Sequence, residues 1–116
     1  MGTHKELEVW RQAIELAKVV YCLTANFPAS ELYGLVSQMR RSAVSVASNI
    51  AEGAARHTDK ELMQFLYIAL GSLAELDTQF ILAKDLNFTP GSTPLEELIT
   101  SVRRMTLGLI KHLKAK

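Results

Sequence analysis

Apolar residues recur at spacings of three and four along almost the whole chain. Between about Lys5 and Asn26, the residues Leu7, Trp10, Ile14, Ala17, Tyr21 and Thr24 form one such stripe. Val9, Ala13, Leu16, Val20, Leu23 and Phe27 form a second beside it. This period belongs to a helix rather than a strand. Two adjacent stripes make an apolar face wider than a bundle core requires, which points to a second contact surface on this helix.

A second helix is predicted from about Glu31 to Glu52, with Ser30 as its N-cap. Leu35, Met39, Ser42, Val46 and Asn49 make its stripe, and Val36, Ala43 and Ile50 widen it. Small residues are frequent here (Ser42, Ala43, Ser45, Ala47, Ser48, Ala51), and they let a neighbouring helix approach closely. Gly53 and the polar stretch to Thr58 then separate the second segment from the third.

Thr58-Asp59-Lys60-Glu61 reads as a capping box opening the third helix. Leu62, Phe65, Ala69, Leu73 (or Ser72), Leu76, Phe80 and Ala83 follow at helical spacing, and Asn87 suits the position just past the helix end. Thr93-Pro94-Leu95-Glu96 opens the fourth helix with a second capping box and a proline at the first helical position. Leu95, Leu98, Val102, Met105 and Leu109 make its stripe. Four amphipathic helices of about twenty residues, joined by short turns, pack most simply antiparallel. The expected fold is all-α, a single antiparallel up-down-up-down four-helix bundle over residues 1–116.

Composition adds constraints rather than a function. Of the 116 residues, 48% are hydrophobic and 22% charged, which argues for a packed domain over disorder. The formal charge of +1 is not that of a polycation, so any nucleic-acid contact must come from a local patch. The lone cysteine, Cys22, excludes an intrachain disulfide and is expected to be an inert packed thiol. The stretch Met1 to Glu6 lacks the apolar core of a secretory signal, Glu6 stands where a myristoylation motif after Gly2 wants Ser or Thr, and no continuous apolar run is long enough to span a bilayer. The expected location is the cytoplasm, with no membrane contact.

No enzyme chemistry is expected. Glu-x-x-His pairs, phosphate loops, Gly-x-Ser-x-Gly elbows and Cys-x-x-Cys are all missing. His4, His57 and His112 lie near ends or loops and are expected to be solvated. Neither a metal nor a cofactor is implied. Two polar groups stand out: Ser48, Asn49 and Glu52 near the end of the second helix, and Ser72, Glu75 and Gln79 in the third. Antiparallel packing brings some of them together, either as a register-fixing network or as a polar contact surface. Basic residues cluster in two places, as Arg40-Arg41 in the second helix and as Arg103, Arg104, Lys111, Lys114 and Lys116 with His112 toward the end of the fourth, where no acid follows Glu97. Cations near a helix C-terminus also complement its dipole. No aromatic platform for stacking single-stranded bases interleaves with these cations, so sequence-specific base readout is not expected.

Val9-Trp10, the run from Tyr33 to Gly53 that ends in Asn49-Ile50-Ala51-Glu52-Gly53, and the run from Phe65 to Leu76 containing Gly71-Ser72-Leu73-Ala74-Glu75 carry a resemblance. They look like the four-helix bundle family named after proteins encoded in 23S rRNA intervening sequences. The likeness extends from about Leu7 to Leu113. It implies bundles that assemble as homopentameric rings or barrels, with Asn49, Glu52, Ser72 and Glu75 as signature polar positions. The accessory variability determinant proteins of diversity-generating retroelements are similar in fold, and that group binds nucleic acid and a reverse transcriptase through a basic surface. Family members commonly carry proline where this chain has Ala47, so a kink there should be weaker. The resemblance and the basic clusters together imply a bacterial, non-enzymatic homo-oligomer, expected to be a pentamer. It would associate with RNA, DNA or a nucleic-acid-handling protein, with Arg103, Arg104, Lys111 and Lys114 as first contacts and Arg40, Arg41 and Arg56 as second. The alternative is a protein-binding scaffold without nucleic-acid affinity.

Overall fold

Capping chemistry and apolar period together set the helix boundaries. The computed structural model describes residues 3–116, so the readings made for Met1 and Gly2 fall outside it. After a short 3-10 turn at His4–Glu6, the helices are α1 (Glu8–Thr24), α2 (Ser37–Ala54), α3 (Asp59–Asp85) and α4 (Pro94–Lys114). Among the described residues there is no strand.

The end of α3 follows from the sequence and its start does so in part, because the Glu61 carboxylate takes the Thr58 hydroxyl and not the Thr58 N–H that a full capping box would use. The Thr58 hydroxyl accepts the Glu61 N–H at 3.1 Å and donates to the Glu61 carboxylate at 3.0 Å. Asn87 adopts φ 62°, and the N–H groups of Asn87 and Phe88 reach back to the carbonyls of Lys84 and Ala83 at 3.0 and 2.9 Å. This is the left-handed stop that satisfies the last carbonyls of a helix. At the start of α4 the Thr93 N–H donates to Glu96 at 3.0 Å, and the Thr93 hydroxyl donates to the same carboxylate oxygen at 2.8 Å.

The start of the second helix differs from expectation. Ser30 does not cap it, because Ala29–Glu31 form a 3-10 turn and Leu32–Val36 a wider π-helical turn before α2 begins at Ser37. The cap is the Glu31 carboxylate, which accepts the Leu35 N–H at 3.3 Å. The kink falls at Gly34 (φ −109°, ψ −112°), where an added Cβ would meet the Glu31 carboxylate at 3.1 Å. The helix runs unbroken through Ala47. Gly53 is likewise no breaker: it is buried inside α2, and the chain turns only after Ala54.

Consecutive helices meet in antiparallel register. Arg40, early in α2, donates to Thr24 and Tyr21 at the end of α1. Ser42 and Ser45 of α2 meet Glu75 and Ser72 of α3. Lys84 near the end of α3 faces Glu96 at the start of α4, while Lys114 near the end of α4 lies over Tyr67 early in α3. The long axis of 46 Å suits α3, whose 27 residues extend about 40 Å.

The core runs along this axis. The Val9, Ala13, Leu16, Val20 and Phe27 stripe of α1 is buried, while Leu7, Trp10, Ile14 and Ala17 are half-buried against the core's edge. Most of the expected second surface of α1 is therefore used within the fold. Larger exposed apolar groups lie on α3 and at its C-cap, where Tyr67, Ile68, Ile81, Leu82 and Leu86 are each about half exposed. With apolar side chains on inner and outer faces, α3 is, among the described residues, the one helix long and apolar enough to cross a membrane by those two measures, although Glu75, Asp77 and Gln79 interrupt it. In α4 the deepest residues are Leu95, Ile99, Val102, Thr106, Ile110 and Leu113, so Leu98, Met105 and Leu109 flank the core instead of centring it. Thr106 is tolerated inside because its hydroxyl donates to the Val102 carbonyl at 2.7 Å.

Cys22 is exposed, contrary to the packed thiol expected. Two helical steps of about 100° turn it away from buried Val20. His57 and His112 are exposed, whereas His4 is half-buried with its ring edge-on to Trp10 at 4.9 Å.

The α4 cap makes a stability prediction with a pH signature. Partial burial pushes the Glu96 pKa up, but the Thr93 hydroxyl, the Thr93 N–H, its own N–H and the Lys84 ammonium outweigh that and hold it below the usual value. A carboxyl depressed in the folded state stabilises fully above its unfolded pKa, and that contribution is lost as pH falls through the folded one. Thr93→Ala should cost about 1 kcal/mol at neutral pH. The gap between wild type and variant in thermal melts should narrow as the medium is acidified below the ordinary glutamate range. A gap independent of pH would remove Glu96 from the cap's energetics.

Candidate nucleic-acid interface

The fourth helix presents its cations to solvent as one face. At about 100° per residue, Arg103, Lys114, Lys111 and Arg104 fall within an arc of about 100°, spread over about 16 Å of helix axis. All four side chains are exposed. Among the described residues, Arg103, Arg104 and Lys111 form no ion pair within 4.0 Å. Lys114 lies over the Tyr67 ring, 5.7 Å from its centroid. Lys116, at the chain end, pairs with Asp59 at 3.3 Å. The acids of α4, Glu96 and Glu97, sit in its first turn, so the helix is acid at its start and basic from Arg103 onward. That polarity complements the dipole. It also leaves uncompensated positive charge along the last three turns.

The other basic candidates are occupied differently. Arg40 lies 4.6 Å over the Tyr21 ring, and its guanidinium donates to Thr24 Oγ1 at 2.9 Å and to the Tyr21 carbonyl at 3.4 Å. It ties the end of α1 to the start of α2, which is a structural task. Arg56 pairs with Glu52 at 2.9 Å and lies 4.8 Å over the Phe65 ring. Arg41 is exposed on α2 and belongs to neither arrangement. None of the contacts made by Arg40 or Arg56 is with the α4 face.

Three of the signature polar residues, Asn49, Ser72 and Glu75, belong to a part-buried seam between α2 and α3. The Ser42 hydroxyl donates to the Glu75 carboxylate at 3.1 Å, and the Ser45 and Ser72 hydroxyls share a hydrogen bond at 2.9 Å. Asn49 Nδ2 donates to the Ser45 carbonyl at 2.8 Å and to its hydroxyl at 3.0 Å. Asn49, Ser72 and Glu75 are thus brought together, with Ser42 and Ser45 as partners that sequence reading treated only as small packing residues. A period of three to four along Ser42, Ser45 and Asn49 is the signal that would have shown it. Glu52 stands apart, exposed and paired with Arg56. Gln79 is buried, and its Oε1 has no hydrogen-bond partner in the seam. A seam whose polar groups bond one another fixes which residues of α2 and α3 meet, since slipping either helix by a turn would break both cross-helix bonds at once.

Among the described residues, no three His, Cys, Asp or Glu side chains come together as metal ligands. Among curated proteins none matches the chain. Residues 5–108 match the model of the 23S rRNA-intervening sequence protein family, and with nearly the whole chain covered, this protein belongs to that family.

Proposed function

We propose that this chain is a non-enzymatic, self-associating bundle that binds RNA through the outward face of α4. The observation that carries the reading is the exposed, acid-free arc of Arg103, Arg104, Lys111 and Lys114. Cations spaced along a helix track a phosphate backbone by charge, without reading bases. Self-association is supported by the exposed apolar groups Ile68 and Leu82 on α3 and Leu86 at its C-cap. Burying them against further copies would remove apolar area from water and would repeat the basic arc around the assembly, strengthening its field. A pentamer is the expected assembly, and its mass in solution tests the count. The net charge of +1 favours the second reading, a protein-binding scaffold whose docking face is the same side of α3.

Charge reversal separates the two. Arg103→Glu with Arg104→Glu should weaken binding to a single-stranded RNA about tenfold or more. It should also flatten the plot of log affinity against log salt by about 1.4, the share of two phosphate contacts at about 0.7 each. Titrations of a fluorescent RNA at several salt concentrations read both quantities. Unchanged affinity and slope would take the α4 face out of the account and leave the scaffold.

A further inference from the structure

The α4 cations lack an aromatic partner in the sequence but gain one in the fold. Glu96 and Lys114 both touch α3, the first through Lys84 at 3.7 Å and the second through Tyr67 at 5.7 Å. Arg103 and Leu107 lie between them on the same flank of α4, since steps of seven, four and seven residues return to one side of a helix. On α3, Tyr67, Ala74 and Ile81 recur at sevens along the facing flank. Tyr67 is 48% exposed, Ile81 48% and Leu107 49%, so this border exposes apolar groups edged by Arg103, Lys111 and Lys114, with half-buried Asp77, seven residues before Lys84, on the same flank of α3.

A half-exposed tyrosine ring beside a lysine and flanked by further cations has the composition of a base-stacking position. Lys114 lies over one face of the ring, so a base would cover the other face, while the cationic groups hold the phosphates on either side. Apolar side chains alone would suit a protein partner equally. The positive rim selects a polyanion, and the aromatic ring selects one with unpaired planar bases. Duplex RNA keeps its bases stacked inside and could not use the ring.

We infer that Tyr67 is a stacking platform for an unpaired base of single-stranded RNA, whose phosphates lie on Arg103, Lys111 and Lys114. The inference rests on the RNA-binding reading above and adds to it the kind of RNA and the residue that senses it.

The test compares Tyr67→Ala and Tyr67→Phe with wild type, using a fluorescent single-stranded RNA, the same RNA annealed to its complement, and an abasic strand of equal length. Tyr67→Ala should lose about tenfold in affinity for the single strand, in line with the usual worth of one stacked base. It should lose little for the duplex and the abasic strand, and Tyr67→Phe should retain single-strand affinity. Equal losses on all three probes would mean that Tyr67 only positions Lys114 and would overturn the inference. So would an unchanged single-strand affinity, with phosphate binding left standing. Absence of wild-type binding to every probe would overturn the RNA-binding reading itself, and this inference with it.

Discussion

Phe80→Ala should destabilise the bundle by about 3–5 kcal/mol, the usual cost of emptying a buried phenylalanine site. Phe80 is 1% exposed and is the largest fully buried side chain of the core. It lies in α3, the helix that packs against both α2 and α4, so the cavity cannot close without moving one of them. The ring also underlies the Lys84 ammonium at 4.7 Å, and Lys84 pairs with Glu96 in the α4 cap. Losing the ring therefore loosens a second contact between α3 and α4. For a domain whose total stability is about 5–15 kcal/mol, this is a large fraction. Urea unfolding at fixed protein concentration reads it as a drop in midpoint. Fixed concentration matters because self-association would add to apparent stability by mass action. Phe80→Leu keeps most of the apolar volume and should lose less. A loss under about 1 kcal/mol for Phe80→Ala would mean that the core can collapse around this site, a result outside the range seen for buried aromatics.

The elements that were legible in the sequence are those governed by local chemistry. Thr58 and Thr93 mark helix starts because their hydroxyls reach N–H groups two or three residues on, and Asn87 marks a stop because few other side chains accept φ 62°. The start of α2 was not legible. There a glutamate one residue past the expected cap reaches Leu35, and Gly34 leaves room for it, so the helix enters through a π turn. Stripe ranking failed in α4 for a related reason. Leu98, Met105 and Leu109 lie beside Ile99, Thr106 and Ile110, and only the direction of the neighbouring helices decides which row is innermost. The hydroxyl of Thr106 bonds its own helix, so it hides a core position from any reading by polarity.

The candidate site divides the same way. The α4 arc was legible because helical period alone places Arg103, Arg104, Lys111 and Lys114 on one side. Its aromatic neighbour was not, since Tyr67 reaches Lys114 only through the antiparallel pairing of α3 and α4. Arg40 and Arg56 looked like members of the same class as Arg103. Their carbonyl, hydroxyl, carboxylate and ring partners show that they hold helices together. Asn49, Ser72 and Glu75 were legible as a group, and the structure joins them in a part-buried hydrogen-bonded seam whose Glu75 end is exposed.

The seam and Tyr67 are linked through Gly53, and Gly53→Ala should destabilise the protein by about 1–3 kcal/mol. In an open helix interior the same change would stabilise by about 1 kcal/mol, because alanine is the better helix former. Gly108 in α4, with nothing within 4 Å of an added Cβ, should show that gain. At Gly53 the added Cβ would fall 2.7 Å from Phe65 Cβ and 3.0 Å from Leu62 Cδ1. The Phe65 Cβ is fixed to its backbone, so relief requires α3 to move away from α2 rather than a side chain to turn. Just along α3 from this contact, Tyr67 faces Lys114, and further on Ser72 and Glu75 bond to α2. A displaced start of α3 should therefore lower the unfolding midpoint and also weaken single-stranded RNA binding, while Gly108→Ala raises the midpoint. Thermal or urea melts of the two variants side by side test the sign. Stabilisation by Gly53→Ala would mean that α2 and α3 are not held this close, and the register that brings Tyr67 to the α4 cations would lose its physical basis.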